Sequence, residues 1–146
     1  MKKGHYRPAV FILTYRKEKG KILYLLLKRK LHWKGWEFPK GGIEKGERLI
    51  QAVKRELLEE TRQKTRKIVR FNLSGKYKYN KSYPDRKGII GQSWHLFTCQ
   101  ISGKKVKLDK KEHSEYKWLP FSDASKLLTW PNQKSCLYFV HHALEK

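Results

Sequence analysis

An α+β fold, in which a mixed β-sheet is covered by helices, is predicted by three observations on this 146-residue sequence. Runs of branched and aromatic residues of strand length are interspersed with amphipathic stretches, without the strict strand–helix–strand order of a parallel sheet. Apolar residues make up 38% and aromatics 13%, enough for a packed core and too many for a disordered tail. No repeat, low-complexity tract or linker interrupts the chain, so residues 1–146 read as a single domain.

Arg7–Tyr15 and Lys21–Arg29 are rich in strand-forming residues, with Lys19-Gly20 as the turn between them. The second run is almost continuously apolar, as a strand buried on both faces requires. The loop Lys30–Trp36 follows, carrying Trp33 and Trp36. Pro39 keeps Phe38 extended, and Gly41-Gly42 let the backbone approach a ligand closely. A helix is expected within Gly41–Gln63, on the apolar stripe Leu49, Ala52, Val53 and Leu57. Ile68–Leu73 and Lys76–Tyr79 are weaker strands, and Lys81–Lys87 is a turn. Ile89–Ile101 is a strong strand, with a bulge expected at Gly91. After the turn at Ser102–Lys105, Glu112–Leu119 leads into Pro120 and a short helix capped by Ser122. The last helix runs from about Asn132 to Leu144, with Leu137, Val140, His141 and Leu144 on one face.

The chemistry concentrates in the first helix. At about 100° per residue, Glu56 and Glu60 fall on the same side as Leu49 and Val53, with Glu59 at the edge of the stripe. Carboxylates therefore occupy positions where the period calls for leucine. Removing such ions from water costs several kcal/mol each unless a partner compensates. Like charges cannot compensate one another, whereas a hard cation such as Mg²⁺, which takes oxygen ligands and substrate phosphates, can. The ordinary alternative is a solvated face paired with Lys54 and Arg55.

The spacing is more specific than the composition. Gly41, five residues, Glu47, seven residues and then Arg55-Glu56-Leu57-x-Glu59-Glu60 resembles the signature of the Nudix hydrolases, enzymes that cleave a nucleoside diphosphate linked to another group. The pattern departs at Arg62 and Gln63, where that family has a glycine and an aliphatic residue, which puts the helix end in question. The resemblance implies an α/β/α sandwich, with the signature forming a loop–helix–loop beside the sheet. It implies Glu56, Glu59 and Glu60 as ligands of Mg²⁺ (or Mn²⁺), with a backbone group from Gly41, and Glu47 with Arg55 as the pair that orients them. Glu112 is expected to supply a further acid, as general base or extra ligand, with Glu115 as its competitor. Glu112–Leu119 resembles the segment of bis(5′-nucleosyl)-tetraphosphatases and of RNA 5′-pyrophosphohydrolases in which a glutamate precedes a tryptophan by six residues. Gln92-Ser93-Trp94 resembles a stretch of the same subgroups and places Trp94 in the core.

Substrate contacts are sought among basic and aromatic residues. Lys40 is placed to meet a phosphate, or is a solvent-exposed loop lysine; Arg29 reaches a phosphate or ends a strand in solvent. Tyr77, Tyr79 and Tyr83 alternate with lysines, which suits stacking of a base between phosphate-holding cations and equally a half-buried strand. Trp36 is a pocket wall or a core residue. His113 reads as an accessory to the acid beside it or, as is commoner for a lone loop histidine, as a solvated residue, and His141-His142 as structural or exposed.

With 35 basic against 13 acidic residues, the net charge of +22 favours anionic partners, nucleotides or RNA. No apolar run approaches the roughly 20 residues of a membrane span, and nothing after the basic Met1-Lys2-Lys3 reads as a secretion signal. Cys99 and Cys136 lack metal spacing and fit packed thiols of a cytoplasmic protein. The expected activity is attack of water on phosphorus in a nucleoside polyphosphate such as diadenosine tetraphosphate. An RNA 5′-triphosphate or cap pyrophosphohydrolase is the alternative, and a non-catalytic RNA- or nucleotide-binding module is the reading from another class.

Overall fold

A computed structural model describes residues 4–65 and 67–145; Met1-Lys2-Lys3, Arg66 and Lys146 lie outside them. The strands are β1 (His5–Glu18), β2 (Lys21–Arg29), β3 (Gly35–Glu37), β4 (Lys40–Gly42), β5 (Lys67–Lys78), β6 (Ile89–Gln100) and β7 (His113–Leu119). The helices are α1 (Leu49–Thr61), α2 (Phe121–Leu127) and α3 (Pro131–Leu144). The strands form one sheet of order β3-β2-β1-β6-β5, with β4 also on β1 and β7 also on β2. β1 and β6 are parallel and the other pairings antiparallel, so the sheet is mixed as predicted.

Alternation along β1 divides the core. Val10 and Ile12 point to α1 and pack with Ala52, Val53 and Leu57, together with Phe97 and Cys99 of β6. Phe11, Leu13 and Tyr15 point the other way, to Ala124 of α2 and to Leu137 and Val140 of α3. Trp94 lies on that second face, stacked on Phe11 at 4.6 Å. The sheet is thus sandwiched between helices. Leu25 and Leu27 of β2 meet Val106 on one face while Tyr24 and Leu26 join the α2–α3 side, which explains the continuous apolar run.

Several boundaries differ from the sequence expectation. Ile68–Leu73 and Lys76–Tyr79 merge into the single strand β5, whose register against β6 shifts between Arg70 and Ser74. The bulge expected at Gly91 falls at Ile90, which lies between the residues opposite His5 and Tyr6. Pro120 occupies the N-cap of α2, so Ser122 is inside the helix and does not cap it. α3 begins at Pro131, a residue pre-set for a first helical position. Glu112–Leu119 largely becomes β7, antiparallel to β2.

The departure at Arg62 is absorbed locally. Arg62 adopts the left-handed conformation, φ 60° and ψ 22°, and its N–H donates to the Leu58 carbonyl. An exposed arginine holds the cap that glycine occupies without strain. Arg62→Gly is expected to stabilise the fold by about 1 kcal/mol, raising Tm by about 3 °C in a thermal melt. An unchanged or lower Tm contradicts the strain assignment.

Candidate active site

The loop after β4 and the helix α1 are tied together by Arg55. Its Nε and Nη2 donate to the two oxygens of Glu47 at 2.8 and 2.9 Å, and Nη2 also donates to the Gly42 carbonyl at 2.8 Å. Nη1 donates to Glu56 at 2.7 Å and to Glu59 at 3.3 Å. One guanidinium therefore orients three carboxylates and the double-glycine turn. Its hydrogen bonds hold Glu47 down at about 2.

The signature carboxylates differ in environment. Glu59 is exposed, Glu56 mostly covered, and Glu60 only 2% exposed. Neither Glu60 oxygen has a hydrogen-bond partner among the described residues. Burial pushes Glu60 well above the ordinary carboxyl range, and the charges of Glu56, Glu112 and Glu37 push the same way. Burial also raises Glu56 to about 7, outweighing its bond to Arg55, with Glu59 and Glu112 adding repulsion. A Cβ at Gly41 would overlap the Glu56 carboxyl, so the bare backbone of Gly41 lies against it. Among the described residues no three acidic, imidazole or thiol groups are already gathered as a finished metal site. The buried, unpartnered oxygens of Glu60 beside Glu56 nevertheless fit an oxygen-seeking cation.

Behind this cluster sits Glu37, fully buried on β3. Its Oε2 meets His113 Nε2 at 2.9 Å and Arg29 Nη1 at 3.3 Å, and its Oε1 accepts from the Trp33 indole at 3.1 Å. Lys40 Nζ is 3.9 Å from Oε1. Burial favours the protonated acid, but Lys40, His113 and Arg29 together outweigh it and hold Glu37 at about 2. Lys40 is brought down to about 8 by burial, which the attraction of Glu37 only partly offsets.

Two cavities of about 430 Å³ each flank these groups. Trp33, Tyr77, Tyr79 and Tyr83 line the first, with Lys40, Lys76 and Lys78 among its basic residues. Its rings meet edge to face, Tyr79 on Tyr83 at 5.3 Å and Tyr77 on Tyr79 at 6.2 Å. The Tyr77 hydroxyl donates to Gln92. Arg7, His32, Arg86, Lys111 and Glu112 line the second cavity. Arg7 packs against Gly42, and its guanidinium forms no hydrogen bond or ion pair among the described residues. Burial and the nearby Arg86 lower its pKa.

Most of the residues expected from sequence therefore converge, with corrections. Lys40 is not a solvent-exposed loop lysine but a buried residue of β4. Arg29 is not solvated either; it is 4% exposed and pinned between Glu37 and Glu112, 3.9 Å from the latter. Trp33, and not Trp36, faces the aromatic cavity; Trp36 packs against the α2–α3 side of the core and under Lys117. Glu115 pairs with Lys28 at 3.3 Å on the exposed surface, leaving Glu112 as the acid near Glu56 and Glu60. His113 is fully buried and bonded to Glu37, which its loop-like sequence context concealed. His141 is structural, bonded to Tyr24 at 2.6 Å. Glu37 and Arg7 were missed altogether. An acid set between Trp36 and Phe38 was the available signal for Glu37; a lone arginine opening a strand offered none.

The family model described as NUDIX domain matches residues 5–139. The chain belongs to the Nudix family. Among curated Nudix relatives, the RNA pyrophosphohydrolase of Wolbachia sp. subsp. Brugia malayi (strain TRS) is 33% identical over 125 residues, 79% of this chain and 73% of the relative. The RNA pyrophosphohydrolase of a Nitratiruptor species is 32% identical over 141 residues, 89% of this chain and 88% of the relative. The crystal structure of a C. elegans Ap4A hydrolase binary complex superposes with a TM-score of 0.76 at 27% identity, covering 95% of this chain and 98% of that one. The sandwich described above is the Nudix fold, and the Nudix signature maps onto the β4–α1 segment that Arg55 ties together.

Proposed function

We propose that this Nudix hydrolase splits the phosphoanhydride chain of a nucleoside 5′-polyphosphate, using a divalent cation held by Glu56, Glu59, Glu60 and the Gly41 backbone. The observation that carries this reading is Glu60, a buried acid with no hydrogen-bond partner among the described residues, whose charge acts on Lys40, a residue lining the aromatic cavity. The chemistry that Mg²⁺ or Mn²⁺ held by these residues would supply is neutralisation of phosphate charge and a lowered pKa for a water.

The chain's own residues do the rest. Trp33, Tyr77, Tyr79 and Tyr83 offer faces for a base, worth roughly 1–3 kcal/mol per stacked base. Lys40 meets the polyphosphate next to them, held in place over Trp33 at 4.5 Å. Arg7, Arg86 and Lys111 take further phosphates, and the Arg7 guanidinium, which has no hydrogen-bond or ion-pair partner among the described residues, offers its donors for that purpose. Glu112 accepts a proton from the attacking water as the water oxygen bonds to phosphorus and the bridging P–O bond breaks, its electron pair leaving with the departing phosphate. Arg55 keeps Glu56 and Glu59 facing the reaction while its bidentate bond to Glu47 fixes its own orientation.

The 5′-triphosphate end of RNA is the substrate we favour, supported by the net charge of +22 and by the names of the two relatives at 32–33% identity. Diadenosine tetraphosphate is the second reading, supported by the likeness to the C. elegans enzyme. Turnover of 5′-triphosphorylated RNA and of diadenosine tetraphosphate is compared with Mg²⁺ present. Faster release of pyrophosphate or phosphate from RNA, weakening steeply with added salt, is expected. Turnover of the dinucleotide alone transfers the assignment to the second reading, and turnover of neither removes both.

A further inference from the structure

The binding wall and the proton-accepting arm of the site belong to separate segments, yet both converge on one buried carboxylate. Glu37 is 0% exposed, and its two oxygens face different neighbours. Oε1 holds the indole N–H of Trp33 at 3.1 Å and lies 3.9 Å from Lys40 Nζ, both of which line the aromatic cavity. Oε2 holds His113 Nε2 at 2.9 Å and Arg29 Nη1 at 3.3 Å. His113 directly follows Glu112, and Arg29 Nη1 is 3.9 Å from the Glu112 carboxylate. The Glu112 carbonyl accepts from the Lys30 N–H at 2.9 Å, so the chain just after Arg29 also fixes this arm.

A buried carboxylate needs both a compensating charge and hydrogen bonds to its two oxygens. Arg29 and His113 meet that need at Oε2 and the Trp33 indole meets it at Oε1, with Lys40 3.9 Å from Oε1, and these groups come from separate segments of the chain. They form a junction between β2, β3, β4 and β7. We propose that Glu37 is a positioning residue for hydrolysis: through Oε1 it sets the wall that holds the nucleoside, and through Oε2 it sets the arm that carries Glu112. An amide in its place presents one oxygen and one NH₂. The NH₂ must then face donors on one of the two sides, so both sides cannot be satisfied together. The inference rests on the hydrolase reading above.

The test measures KM and kcat of the full chain with Mg²⁺ on the substrate that the wild type turns over best. Glu37→Gln is expected to lower kcat/KM by roughly 10–100-fold, the range for a group that orients those touching the reactants. That loss is shared between a raised KM and a lowered kcat. Trp33→Phe, which keeps an aromatic face but donates nothing, raises KM with kcat little changed. His113→Asn, whose shorter side chain does not reach Oε2 as the imidazole Nε2 does and leaves Arg29 Nη1 as the donor there, lowers kcat with KM little changed. Both effects shrink in the Glu37→Gln background, because the anchor they use is already lost. If Glu37→Gln does not fold, the two single-sided variants carry the test, since both retain the carboxylate. Wild-type values of KM and kcat in Glu37→Gln overturn the proposal, as does a Trp33→Phe and His113→Asn pair that moves the same parameter. An inert wild type overturns the hydrolase reading itself, and that result is read before any variant is made.

Discussion

Glu56→Gln is expected to cut kcat by at least on the order of 100-fold while leaving the fold as stable as before, or more so. Loss of a group that only orients a metal ligand typically costs roughly 10–100-fold, and removing a ligand's charge exceeds that. Stability moves the other way for a definite reason. Glu56 is mostly covered and raised to about 7, chiefly by burial, so its ionised form is held against an adverse environment. Glutamine keeps the shape and can still accept from Arg55 Nη1, which now donates to Glu56 at 2.7 Å. A variant that loses turnover and keeps or gains Tm marks a residue retained for function at the expense of stability. A non-catalytic nucleotide-binding module predicts equal, negligible turnover in both proteins. Full turnover in Glu56→Gln removes this residue from the metal site.

In a chelator, thermal stability is expected to fall as pH rises from about 5 to about 8, and divalent cation is expected to restore it. Glu56 and Glu60 both have folded values above the ordinary 4.5, so the folded state binds protons more tightly than the unfolded chain. Their contribution is present in full below about pH 4.5 and is lost as pH climbs through the folded values. For Glu56 alone, a rise from 4.5 to about 7 corresponds to roughly 3 kcal/mol. Glu37 and Glu47, both held at about 2, behave oppositely and lose their contribution only as pH drops below 4.5 toward 2. Lys40, lowered to about 8, adds stability only at more alkaline pH, which bounds the window above. Cation binds the deprotonated acids and offsets the loss by mass action. Glu60→Gln flattens the profile. A Tm independent of pH over this window in chelator shows that these acids do not titrate as buried groups.

The two experiments probe opposite sides of one design. Carboxylates placed in a helix stripe cost stability, and phosphate chemistry is what such placement makes possible. Arg55 moderates the cost by bonding Glu47, Glu56 and Glu59, but it does not reach Glu60 with any hydrogen bond among the described residues.

Local pattern carried much of this into view. The stripe Leu49, Ala52, Val53 and Leu57 with acids at 56 and 60 determined both the buried face of α1 and the wrongness of its charges, because a helix places residues three and four apart on one side. The spacing from Gly41 to Glu60 determined the family. The continuous apolar run of Lys21–Arg29 determined a strand covered on both faces. What local pattern could not determine was which distant side chains meet. Glu37, Arg29, Lys40 and His113 come from four strands, and only sheet pairing brings them to one carboxylate. Trp33 and Trp36 are equivalent in composition; the turn before β3 decides which faces the cavity. Glu112 and Glu115 sit three apart in sequence, and the pairing of β7 with β2 sends Glu115 to Lys28 and leaves Glu112 beside Arg29. Periodicity reports how a residue relates to its own element, whereas a site is assembled across elements, and that juxtaposition exists only once the chain has folded.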